Sequence, residues 1–230
     1  MRRTLFRFAL LAILACLFLS APAHAGDGKK PEATPAAYIA MLYSKLLGTT
    51  PDFAGWVMST EQYKQAELYD RAKIVSLNVE KMQDTFSLLT VSEPIVLDVT
   101  ATISGYSTMG HGFLVQNFND MTYFNYTYMG DRYALVPNGM SKYQWLRSPE
   151  DLAPMIMRET DNGHNAVMTI TLTPQAADAK PMLLDGANRK LIMGEVSKIE
   201  LWSKDKSHVI WDTQIAETDA GKKQMLNLYQ

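Results

Sequence analysis

A chain of 230 residues, 47% apolar and 20% charged, is long enough to bury a core of its own without disulfide staples. Cys16 is its only cysteine, which excludes a disulfide framework. With 22 basic and 24 acidic side chains and no long basic run, nucleic acid and anionic membrane are poor main partners.

The first segment is basic, then apolar, then small. Arg2, Arg3 and Arg7 precede an unbroken apolar run from Phe8 to Leu19, and Pro22 leads into Ala23-His24-Ala25. That order predicts a signal peptide over 1–25, cleaved after Ala25, and a periplasmic or secreted product. A retained membrane anchor ranks lower, because the run is shorter than the roughly 20 apolar residues a bilayer span needs. Ile13-Leu14-Ala15-Cys16 partly matches a lipoprotein box, but the residues after Cys16 stay apolar, so acylation there is the second reading. Arg2-Arg3 also has a twin-arginine look, which the strongly apolar core that follows argues against. Cleavage leaves 19 basic and 24 acidic residues and no integral membrane span.

Residues 26–34 hold Gly, Lys, Pro and Glu without apolar periodicity and read as a flexible leader. A helical region is expected over 35–92. Thr34-Pro35 starts one helix that Gly48 ends, and Thr50-Pro51-Asp52 starts a shorter one. Ser59 and Gln62 have capping-box spacing, and Leu68, Ala72, Val75, Val79, Met82, Phe86 and Leu89 then recur at alternating steps of four and three. The pattern predicts one long helix over about 59–90 with a narrow apolar stripe. Such a stripe serves either self-association or packing on the protein's own helices and sheet. Three heptads favour the second.

At Pro94 the period changes to two. Ile95, Leu97, Val99, Ala101 and Ile103 alternate with mostly polar residues, and Ala166, Met168, Ile170 and Leu172 repeat the pattern. Shorter runs at Phe113–Val115, Thr122–Met129 and Tyr133–Val136, and a hairpin of Lys190–Trp202 with His208–Asp212, complete a β-rich region over 93–230. Ser148–Asp151 starts one further short helix. Helices followed by strands predict an α+β fold, one long helix among the first elements, and a mainly antiparallel sheet, sandwich or partly closed barrel packed as one domain.

Catalytic signatures are missing: there is no zinc-protease helix, nucleophile elbow, phosphate loop or EF-hand loop, and no cofactor is expected. Ser203 and Lys206 match an S-x-x-K pattern only in letters, since they fall in a polar turn. Asp161 and His164 flank Asn162-Gly163 and are weak metal candidates beside the plainer reading of a solvated turn. Gly110-His111-Gly112 permits close backbone approach. An envelope hydrolase using His111, His164 and Asp161 is the alternative to a binding protein.

The densest local feature is aromatic: Tyr123, Phe124, Tyr126, Tyr128, Tyr133, Tyr143 and Trp145 fall within 23 residues. On a strand, Phe124, Tyr126 and Tyr128 share one face. Exposed, they make a platform for an envelope protein, a peptide or a cell-wall glycan; buried, they fill half a core. They are the candidate ligand-binding residues.

The stretches Tyr69-Asp70-Arg71-Ala72, Ile103-Ser104-Gly105-Tyr106 with Gly112-Phe113, and Pro181–Gly186 running to Glu200-Leu201-Trp202 resemble landmarks of exported bacterial proteins grouped as domains of unknown function. The resemblance spans most of the chain after residue 25. It implies an envelope protein and carries no catalytic residues.

Overall fold

In the structure, a computed structural model, residues 35–213 are described. The signal peptide, Cys16, the leader and the segment 214–230 lie outside the described residues. Helices come first: α1 (Pro35–Leu46), α2 (Phe53–Ser59), α3 (Glu61–Gln65) and α4 (Leu68–Leu88). Nine strands follow, β1 (Ile95–Ala101), β2 (Gly112–Leu114), β3 (Phe124–Tyr128), β4 (Asp131–Asn138), β5 (Trp145–Arg147), β6 (Ala166–Ala177), β7 (Met182–Leu184), β8 (Ala187–Trp202) and β9 (Val209–Asp212). Helix α5 (Ala153–Glu159) lies between β5 and β6. The fold is α+β, with no helix among the described residues long and apolar enough to cross a membrane.

Seven strands form one curled sheet, a half-barrel, in the order β1-β6-β8-β4-β3, with β7 and β9 also on β8. All its pairs are antiparallel except β4 on β8. Two register shifts between β6 and β8, near Leu172 and after Pro174, bend the ladder where an extra residue must be absorbed. The alternation of β6 buries Ala166, Met168, Ile170 and Leu172 completely. Helix α1 supplies the opposing apolar layer with Ile39, Ala40, Met41 and Leu42, none more than 2% exposed. Each large side chain among them contributes about 2 kcal/mol by leaving water.

The start signals work as local chemistry. The Asp52 side chain accepts the Gly55 N–H at 2.9 Å and caps α2. The single long helix expected over 59–90 is instead two. Thr60, not Ser59, caps the short α3, and Ala66 and Glu67 are extended before α4 begins. The break contains neither Gly nor Pro. It is stabilised by Arg71, which donates to the carbonyls of Ala66 (3.1 Å) and Lys64 (3.2 Å) that α3 leaves free, and sits 5.4 Å from the Tyr63 ring. No residue of α4 is fully buried. Its stripe packs through Val79, Met82 and Phe86, while Leu68 at the other end is 81% exposed.

Candidate functional site

Met129 and Gly130 both take the left-handed conformation, at φ 48° and 84°. Two such residues make the tight turn whose twist suits a hairpin, so β3 and β4 pair from Tyr128 opposite Asp131 up to Phe124 opposite Leu135. The pleat then puts Phe124, Tyr126 and Tyr128 on one face, half-buried against the core, and Asn125 and Thr127 exposed on the other.

The row is anchored from the helical side. Trp56 meets Tyr128 edge-on at 4.9 Å between ring centres, and the contacts continue from Trp56 to Phe53 (5.6 Å) and from Phe53 to Phe86 (5.7 Å). The Ser59 hydroxyl lies 3.1 Å from the Met129 sulfur. Burial of the rings pushes the Tyr126 and Tyr128 phenols above the usual tyrosine range. Among the described residues neither hydroxyl makes a hydrogen bond, and both side chains are half-buried. These side chains therefore hold their rings against the core, with their phenols partly withdrawn from water.

Beside the hairpin lies a shallow depression of about 330 Å³ lined by Gly130, Asp131, Arg132, Pro181, Asn188 and Lys190. Lys190 bonds Asp131 at 2.7 Å and sits within 5.7 Å of the Tyr43 and Tyr133 rings. Tyr133 is buried next to Asp131, and both the burial and the carboxylate hold its phenol protonated. Sequence reading missed this cluster, because Lys190 reaches Tyr133 through the parallel β4–β8 register.

The histidines are used differently. His111, at φ 47°, is exposed, and its carbonyl accepts the Ser148 N–H at 3.0 Å. Its neighbours Gly110 and Gly112 make room for the Trp145 ring and the Leu146 carbonyl, so the close approach there is to the protein itself. Asp161 and His164 are exposed in the turn after α5, joined by a backbone bond from the His164 N–H to the Asp161 carbonyl at 3.2 Å. Among the described residues no group of three His, Cys, Asp or Glu gathers to hold a metal.

His208 belongs to the β8–β9 turn. There the Ser207 hydroxyl lies 3.0 Å from His208 Nδ1 and donates to Asp205 at 2.7 Å, and the Ser203 hydroxyl also donates to Asp205 at 2.7 Å. The carboxylate is bonded to the serines, so the set closes a turn. Bonds from Ser207 and then Ser203 hold Asp205 down to about 2. A depressed carboxylate stabilises the turn above the ordinary range near 4, and that contribution is lost as pH falls toward 2. An NMR titration should place the Asp205 midpoint near 2, and Ser207→Ala should return it toward 4; an unchanged midpoint would remove Ser207 as the cause.

Comparison with protein families, with curated proteins and with solved structures finds no match to this chain.

Proposed function

We propose that the chain is an exported protein of the bacterial envelope that acts by binding, with the Phe124, Tyr126 and Tyr128 face of β3 as its contact surface. The observation that supports this most is a row of half-buried rings, anchored through Trp56, whose Tyr126 and Tyr128 hydroxyls make no hydrogen bond among the described residues. A ring held by its neighbours loses little entropy on binding, and a phenol adds a hydrogen bond to apolar contact. An envelope protein, a peptide or a cell-wall glycan presents the mixture of apolar and hydrogen-bonding groups such a row fits. The signal-like start of the chain and its resemblance to exported bacterial proteins support the compartment.

The test is a double variant that keeps the rings. Tyr126→Phe/Tyr128→Phe should leave the melting temperature within about 2 °C, since the rings stay packed on the core and no hydrogen bond among the described residues is lost. The same variant should bind envelope-protein extract or isolated cell-wall sacculi about fivefold or more weakly, as expected for two lost hydrogen bonds. Equal retention of both forms would move the contact surface elsewhere.

A further inference from the structure

β1 and β3 end the five-strand path of the main sheet, with β7 and β9 each paired to β8 alone, and the two path ends are finished differently. β1 begins after Pro94, and at its centre Asp98 is ion-paired with Lys206 and accepts the Thr169 hydroxyl at 2.8 Å. A proline beside the strand and a charge within it are what keep an edge from pairing with another chain. β3 has neither: Phe124–Tyr128 contains no charged residue and no proline.

The hairpin says which backbone groups are available. In a two-residue hairpin the pair flanking the turn exchanges both backbone hydrogen bonds, and every second pair up the ladder does the same. Here that pair is Tyr128 with Asp131, followed by Tyr126 with Tyr133 and Phe124 with Leu135. Asn125 and Thr127 therefore turn their N–H and C=O groups away from β4. Among the described residues no hydrogen bond reaches those groups from the other side.

Deepening the binding reading above, on which it rests, we propose that the outer edge of β3 takes up an extended, uncharged peptide segment of a partner protein as an added strand. The backbone groups of Asn125 and Thr127 bond its main chain. The rings of Phe124, Tyr126 and Tyr128 meet its alternate side chains, the usual division between affinity and selectivity in strand addition. An uncharged strand favours an uncharged occupant, because a buried charge would find no partner on Phe124–Tyr128. A second copy of the chain fits less well. Five residues span about 17 Å, and so short a contact falls below the roughly 1,200 Å² that a stable dimer buries.

The experiment uses the protein without its signal segment and a fluorescent pool of end-capped heptapeptides in which Val, Ile, Leu, Phe or Tyr alternates with Thr or Ser. The pool should bind. Thr127→Pro removes the outward N–H and places a ring on the edge, while the bonds of Phe124, Tyr126 and Tyr128 to β4 remain. It should lower affinity at least about tenfold, whereas Thr127→Ala, which keeps the N–H, stays within about twofold. With the unaltered protein, N-methylation of alternate peptide groups should abolish binding in one phase and spare it in the other, a result that does not depend on the proline variant folding. Failure of the pool to bind, or equal affinity in both N-methylation phases, overturns strand addition. A dimer that Thr127→Pro dissociates gives the edge to a second copy and also overturns it. If Tyr126→Phe/Tyr128→Phe still weakens envelope retention in those cases, the binding reading stands and only its strand-addition form falls.

Discussion

Phe53→Ala lowers the stability of the protein by about 4 kcal/mol, the usual cost of emptying a buried phenylalanine site. Phe53 is 3% exposed and joins the rings of Trp56 and Phe86, so it is the link between α2, the aromatic row and α4. Helix α4 depends on that link because none of its own residues is fully buried. What else holds its end is Lys45, which donates to the Phe86 carbonyl at 3.1 Å and lies 4.7 Å from the Phe86 ring. The melting temperature should fall by roughly 12 °C for a chain of this length. Hydrogen exchange adds a sharper readout: amides of α4 should lose protection before those of β6 and β8. Uniform loss in all three elements would show that α4 is held by something other than this ring chain.

The second large effect comes from a residue with no side chain. Gly163 sits at φ +87°, and a Cβ there would lie 2.4 Å from the Ile103 carbonyl oxygen. The same glycine accepts the Ile103 N–H at 2.8 Å, and its own N–H bonds the buried Thr160 hydroxyl at 3.2 Å. The turn after α5 is thereby clamped to the chain leaving β1. Gly163→Ala adds left-handed strain to a backbone collision and should cost about 3 kcal/mol, or roughly 9 °C. Gly48→Ala separates the two causes. Gly48 is also left-handed, at φ +67°, but nothing lies within 4 Å of its Cβ position, so strain alone should cost about 1 kcal/mol. Equal losses at both sites would mean that the contact with Ile103 yields without cost.

This clamp explains part of what the amino-acid order leaves open. Asp161-Asn162-Gly163-His164 reads as a turn from composition, and a turn it is, but its contact with Ile103 crosses 60 residues of chain and leaves no local mark. The alternation in β1 and β6 was legible because each strand has one face on the core and one outside. The starts of α1 and α2 were legible because Pro35 and Asp52 act within four residues. The break between α3 and α4 was not, since Arg71 makes it from outside the break itself. The aromatic row could be assigned to one face of a strand. Which neighbours flank it depends on Trp56, which lies 72 residues before Tyr128 in the chain.

The pairings of β8 also set an order of events in time. β8 pairs with β4, β6, β7 and β9, and of these only β9 follows it in the chain. A polypeptide made from its N-terminus therefore presents β4 and β6 before the strand that joins them exists. The parallel contact of Tyr133 with Lys190 closes a loop of 57 residues, an entropic delay that local hairpins avoid. Until β8 arrives, the β3–β4 hairpin can form while the edge of β4 that β8 will take stands unpaired. During that interval the nascent chain is most exposed to wrong partners.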